Sequence, residues 1–336
     1  MQIGRMNTLT RLTTSLSAAP FAACLASVLV PTASGQAPAY PDRPVRVVVG
    51  SAAGGNADIL ARIVCNALSR SLDQQFVVDN RGGATGAIGT EIAAKARPDG
   101  YTLMYAASNH AINPSLNPRL PWDAVKDFAP IGLVALTPLV LTITNTLPAK
   151  SVRQLIDLAR AKPAGLALAS AGTGSPGHLA GVLFDRMSHV TMLHVPYKAT
   201  QQAMTDLTTG QVQVMYPTLT AVLPQVRAGK LRGLAITSRA RTALAPDLPT
   251  MEEAGLRGYE ASIWNGFLAP ARTPSAIISK LEATLLQIMQ TQEIKDHFAA
   301  IGAEPLTSTP AEFGRFIASE LAKWSKVIRE AGVRIE

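Results

Sequence analysis

Short apolar runs alternate along this chain with stretches whose apolar positions recur every three or four residues, the order of strands laid between helices. Val45-Arg46-Val47-Val48-Val49 predicts a strand buried on both faces. Gly54-Gly55 then leads into a helix whose apolar face is Ile59, Ile63, Val64, Ala67, Leu68 and Leu72. Phe76-Val77-Val78 predicts a second strand, Ile88 to Ala96 a second helix and Tyr101 to Ala106 a third strand, a β-α-β-α-β unit. About 120 residues on, the pattern returns. Leu166 to Ala169 predicts a strand, Gly172 and Gly174 a glycine-rich loop, and Leu179 to Met187 a helix started by Pro176. Strand Met192 to Val195, helix Gln201 to Leu207 and strand Val212 to Tyr216 complete the second unit.

Two long amphipathic stretches close the chain, Pro274 to Met289 and Pro310 to Gly332. In the second, Phe313, Phe316, Ile317, Leu321, Trp324, Val327 and Ile328 fall at helical spacing and predict core packing. If these helices cover the first unit, the chain crosses between lobes near Ile143 and again near Ser262. The expected organisation is α/β with two lobes, residues 38–142 plus 263–336 and residues 143–262. Each lobe is expected to be a mostly parallel sheet flanked by helices.

The first forty residues change the picture. Met1 to Arg11 carries two arginines and no acid, Leu16 to Val30 is nearly all apolar or small, and Ala33, Gly35 and Ala37 follow, the order of a secretory signal peptide. Cleavage is expected after Ala37, or after Gly35, and a periplasmic location follows. The apolar stretch falls short of the roughly 20 residues that span a bilayer. Cys24 follows Phe21-Ala22-Ala23, a poor lipobox, so no lipid anchor is expected. Without residues 1–37 the chain keeps one cysteine, Cys65, and 29 basic against 23 acidic residues, a net charge of +6. Lys and Arg are scattered singly and not interleaved with aromatics, so the charge suits solubility and anion attraction rather than nucleic acid. At 336 residues, 47% hydrophobic and 16% charged, the chain is long and apolar enough for two domains.

Gly172-x-Gly174-x-x-Gly177 follows a strand and opens a helix, as a dinucleotide fingerprint does. The acid that should hold the ribose about 20 residues on is missing, because that region reads His194-Val195-Pro196-Tyr197-Lys198. The loop has another use: unpaired N–H groups at a helix start attract carboxylate or phosphate without a special side chain. Ser170, Thr173 and Ser175 add hydroxyls, and Gly54-Gly55-Asn56 repeats the device in the first half, with Asp58 serving the helix start. Two such loops facing each other would clamp a diacid or an amino acid. No Gly-x-Ser-x-Gly elbow or His-Glu-x-x-His is present, and His110, His178, His189, His194 and His297 lack metal-ligand spacing, so no metal or cofactor is expected. Ser175 and His178 lie one turn apart, where capping and ligand hydrogen bonding compete with catalysis. Ser108-Asn109-His110, Tyr197-Lys198 and Tyr216-Pro217-Thr218 follow strand ends, where open α/β sheets bind ligands.

Tyr40-Pro41-Asp42-Arg43-Pro44, Gly54-Gly55 with Asp58, Asn80-Arg81, Pro98-Asp99-Gly100-Tyr101, Asn113-Pro114, Lys126-Asp127-Phe128, His194 to Lys198, Gly229-Lys230-Leu231-Arg232 and Asp247-Leu248-Pro249-Thr250 follow one another in order. So do Glu253-Ala254-Gly255 and Gly258-Tyr259-Glu260, and the set resembles the Bug-type receptors of tripartite tricarboxylate transporters along nearly all of the chain beyond the leader. The resemblance implies a Venus-flytrap fold, a periplasmic location, no catalytic step, and capture of carboxylates or related small molecules for a membrane permease. Carried onto this sequence, the ligand loops are Ser51 to Asp58, including Ala53, and Ser170 to His178, and a monomer is expected. Three departures stand out. Gly50-Ser51 replaces a frequent proline or aromatic, Gly82 replaces a proline, and Pro217 lies where an acid is common nearby. An exported enzyme using Ser175 and His178, or a sensory receptor with the same cleft, are the alternatives.

Overall fold

The computed structural model describes residues 40–334; the expected signal peptide, its cleavage sites and Cys24 lie outside them. The chain opens with strand β1 (Val45–Val49), helix α1 (Asn56–Leu72), β2 (Phe76–Asn80), α2 (Ala87–Ala94), β3 (Thr102–Ala107) and α3 (Asn109–Leu116). It continues with β4 (Phe128–Thr137), β5 (Val140–Thr144), α4 (Val152–Ala161), β6 (Ala167–Ser170), α5 (Pro176–Ser188), β7 (Leu193–Pro196), α6 (Thr200–Thr209) and β8 (Val214–Met215). Helix α7 (Leu219–Arg227), β9 (Leu231–Ile236), β10 (Ile263–Pro270), α8 (Ser275–Met289), α9 (Gln292–Ala300), β11 (Glu304–Pro305) and α10 (Pro310–Ala331) complete it.

Two sheets result, one ordered β11-β4-β10-β3-β1-β2 and the other β7-β6-β8-β5-β9. The two β-α-β-α-β units pair in parallel as expected, β2-β1-β3 in one sheet and β7-β6-β8 in the other. Most strands of each sheet run in one direction, β2, β1, β3 and β4 in the first and β7, β6, β8 and β9 in the second, with antiparallel members among them. β10 runs antiparallel to both β3 and β4, β4 to β11, and β5 to both β8 and β9, so each sheet is mixed. β4 and β9 each follow a helix, α3 and α7, and run parallel to the strand before it, β3 and β8, so the antiparallel members are β10, β11 and β5. By strand membership the chain leaves the first sheet after Thr137 and enters the second at Val140, a little before Ile143, and is back in the first by Ile263.

Both faces of each sheet are covered, which is why the central strands read as continuous apolar runs. Val45, Val47 and Val49 pack towards α1 and α8, while Val48 packs on the opposite face with Met104, Trp264 and Phe313. In the second sheet Leu141 and Ile143 face α4 and α5, and Val140 faces α6 and α7. Helix α10 belongs to both lobes. Thr309 and Glu312 form a reciprocal capping box at its start, Phe313 and Ile317 sit in a core of the first sheet, and Trp324, Val327 and Ile328 join a core of the second.

The end of β1 is fixed by backbone contact. A Cβ on Gly50 would lie 2.9 Å from the Gly86 carbonyl oxygen, and one on Gly89 would lie 2.9 Å from both Gly50 Cα and the Arg81 carbonyl oxygen. Alanine at Gly89 would gain about 1 kcal/mol of helix propensity, but overpacking against backbone costs about 1–3 kcal/mol. Gly89→Ala is therefore expected to lower the urea midpoint; an unchanged or raised midpoint would show that the contact can relax.

Candidate functional site

The first loop is organised by Asp58, which is buried, accepts the Gly54 N–H at 2.8 Å and pairs with Arg62 at 3.0 Å. Burial works to raise the Asp58 pKa, but hydrogen bonds from Arg62 and Gly54 outweigh it and hold the carboxyl below its usual value. Asp58 thus serves the helix start, as the spacing predicts, and its charge is committed there. Ala53, Gly54 and Gly55 are exposed, and Asn56 donates to Thr137 Oγ1 at 3.5 Å, a contact at the limit of a hydrogen bond. Asn80 donates to the Ser51 carbonyl at 3.2 Å and anchors the other end of the loop.

A cavity of about 600 Å³, including its open mouth, lies where this loop meets three other helix starts. Ser51 and Ala57 supply the α1 side, Thr85 and Gly86 the turn into α2, Ser108, Asn109 and His110 the start of α3, and Pro176 the start of α5. Ile263 closes it from the beginning of β10. The Thr85 carbonyl accepts from Asn109 at 3.0 Å and Asn113 at 3.1 Å, which fixes the turn against α3. Ser108 accepts the Trp264 N–H at 2.9 Å and so joins the α3 start to β10. A second hollow of about 820 Å³ adjoins through Thr85 and is lined by Asn113 and by Thr173 from the second glycine-rich loop.

In that second loop the hydrogen bonds are local. Ser170 Oγ accepts the Gly172 N–H at 3.2 Å and lies 2.7 Å from His194 Nε2. Ser175 accepts the His178 backbone N–H as the α5 cap, and His178 Nδ1 accepts the Gly174 N–H at 3.0 Å. The His178 proton therefore sits on Nε2. His178 stacks on His194 with ring centroids 3.6 Å apart; burial, and then the neighbouring His194 charge, push its pKa down to about 3. No hydrogen bond joins the Ser175 hydroxyl to the His178 ring, so the pair on which an enzyme would rest is not assembled. Gly172 and Gly174 take φ of +111° and +76°, and a Cβ on Gly177 would lie 2.9 Å from the Tyr216 carbonyl oxygen. The fingerprint spacing thus meets conformational and packing needs.

Of the expected ligand residues, Ser51, Ser108 and Asn109 line the cavity and Thr173 the adjoining hollow, while the others line neither. Tyr216 is 2% exposed, packs beside Phe184 in the core of the second sheet and lines neither hollow. Pro217 is buried, with its carbonyl accepting the Val140 N–H at 2.9 Å. Tyr197 spends its hydroxyl on Asp206 at 2.7 Å. Conversely, Gly50, Thr85, Gly86, Thr90 and Ile263 line the cavity without having been expected as ligand residues, and His110, noted in the loop after β3, lines it too. Gly82-Gly83-Ala84-Thr85-Gly86 is a third glycine-rich run between a strand and a helix, the same signal that marked the other two loops. Ile263 had no local signal. Among the described residues no helix is long and apolar enough to cross a membrane, and no three His, Cys, Asp or Glu side chains gather as a metal site.

Two α/β lobes with a cavity at their facing helix starts define a solute-binding protein. The chain belongs to the TctC family, the tripartite tricarboxylate transporter family receptors, whose model matches residues 60–333. It is 37% identical to the protein BugT of Bordetella pertussis over 299 residues, 88% of this chain and 92% of that protein. A protein of R. palustris solved with adipate superposes with a TM-score of 0.77 at 36% identity, covering 88% of this chain and all of the other. MatC of Rhodopseudomonas palustris, solved with malate, gives 0.73 at 30% identity over 86% of this chain and all of the other. The periplasmic binding protein BugD gives 0.74 at 34% identity over 88% and 100%. The family is one of solute-binding receptors.

Burial holds two imidazoles below their ordinary value, His178 at about 3 and His110 at about 4. The unfolded chain takes up protons near pH 6.5 that these folded rings refuse, so the stability is full above that pH and is lost as the pH falls towards 4. Asp185, raised to about 6 by burial, acts in the opposite direction. Between pH 7 and 5 each ring is expected to cost about 2 kcal/mol, and His178→Gln should flatten the fall of the thermal midpoint. An equally steep fall in the variant would contradict the assignment.

Proposed function

We propose that this protein is a periplasmic monomer that captures a small carboxylate between its lobes and delivers it to the membrane permease of a tripartite tricarboxylate transporter. The observation that carries this reading is the convergence of four helix starts, of α1, α2, α3 and α5, on one cavity lined by no Asp, Glu, Lys or Arg side chain. Each helix start favours an anion by about 1 kcal/mol, and four together give roughly the affinity of a millimolar complex. Hydroxyls and amides supply the remainder, with Ser51, Ser108 and Asn109 on the first lobe and Thr173 beside the adjoining hollow.

Residues 38–142 with 263–336 form one jaw in this reading and residues 143–262 the other, with ligand stabilising the closed form. Relatives solved with adipate and malate support a carboxylate. The unassembled Ser175 and His178 pair weighs against catalysis.

Calorimetric titration of the purified protein with mono- and dicarboxylates, adipate and malate among them, is expected to give saturable heat for at least one. Asn109→Ala, which removes one of the two amides that hold the Thr85 carbonyl and an amide at the cavity edge, should weaken that binding about tenfold. Absence of heat across the whole panel would overturn the reading.

A further inference from the structure

The first glycine-rich loop carries nothing of its own to hold it. Ala52, Ala53, Gly54 and Gly55 are exposed and offer no side chain longer than a methyl, yet Gly50 and Ser51 before them and Ala57 after them line the cavity. Two contacts from outside fix its two ends. Asp58 Oδ2 accepts the Gly54 N–H at 2.8 Å, and Asn80 Nδ2, at the end of β2, donates to the Ser51 carbonyl at 3.2 Å. The end of β2 runs close beside the loop, since a Cβ on Gly82 would lie 3.3 Å from the Ala52 nitrogen.

Arg62 reaches both of those anchors. One turn along α1 from Asp58, it sets Nε 3.0 Å from Asp58 Oδ1 and donates from Nη2 to Asn80 Oδ1 at 3.0 Å. A guanidinium only donates, so it turns the Asn80 oxygen towards itself and the Asn80 amide nitrogen towards Ser51. On the Asp58 side the N–H is not aimed at the oxygen, and the link is one of charge; among the described residues no group donates to that buried oxygen. The neighbouring carboxylate, Asp79, is taken by Arg46 and Arg81. Arg62 is half exposed and lines no part of the cavity.

We propose that Arg62 is a positioning residue for ligand capture, which holds both ends of the loop Ser51–Asp58 and acts on the ligand only through Asp58 and Asn80. This rests on the carboxylate reading above. The two links leave from different nitrogens of one planar group, a geometry that a lysine ammonium does not reproduce.

Calorimetry with adipate, malate and the wider panel tests it on the unmutated protein and on variants. Arg62→Met keeps the apolar stem and removes both links, and its affinity should fall about fivefold. Arg62→Lys keeps a charge beside Asp58 and should lose less. Adding Asn80→Ala to Arg62→Met should cost less than Asn80→Ala costs alone, because the two groups form one bridge. Arg70→Met, which breaks an exposed ion pair to Glu293 further along α1, should leave the affinity within about twofold. With Arg62 gone, burial works to raise the Asp58 carboxyl against weaker opposition, so the deficit of Arg62→Met should widen as the pH is lowered from about 7 to about 5. Additive losses, or a deficit that does not change with pH, would mark a general packing role and overturn the proposal. So would an Arg62→Met affinity equal to that of Arg70→Met. Binding of no acid by the unmutated protein would instead remove the carboxylate reading, and this proposal with it.

Discussion

The contact of Gly50 with Gly86 and Gly89 is the constraint on which the site depends. Backbone meets backbone there at distances that exclude any Cβ, so the end of β1, the turn Ala84–Gly86 and the first turn of α2 form one rigid corner. That corner points the α2 start into the space that α1 and α3 also face. Asp58 shapes the α1 side, Asn109 and Asn113 hold the turn from the α3 side, and Ser108 ties α3 to β10. The polar groups at the edge of the cavity are mostly committed to holding helix starts in place. The helix starts then supply the field.

A field made from peptide dipoles differs in kind from one made by arginine or lysine. A buried cation without its partner is strongly unfavourable, whereas backbone N–H groups at a helix start tolerate the empty state. The second loop follows the same economy, because the stacked His178 and His194 rings lie too close for two charges and His178 is kept neutral by burial. The loop geometry therefore rests on lone pairs and N–H groups alone.

Much of this was legible in the sequence, and the failures have physical causes. The valine-rich β1, the glycine-rich loops and the repeated β-α-β-α-β units follow from local periodicity, which is why the parallel parts of both sheets were found. The antiparallel return of β10 between β3 and β4 depends on pairing across more than a hundred residues, which no local period records. Tyr216 and Pro217 follow β8, a strand only two residues long, and their burial is set by packing across the second sheet that no local signal records. His110 was legible as part of the loop after β3, but its packing against Trp122, Ala124 and Phe128, in a later loop and strand, has no local signal.

Helix α10 has one further consequence. Its first half is seated in one lobe and its last turns in the other, so it acts as a ruler whose length is read at both ends. Each residue added to a helix advances it about 1.5 Å and turns it about 100°. One inserted residue between Ile317 and Trp324 would swing the Trp324, Val327 and Ile328 stripe away from the second core while leaving the first untouched. The spacing within this helix is thus held by two partners at once, so the two cores cannot be repacked independently of its length.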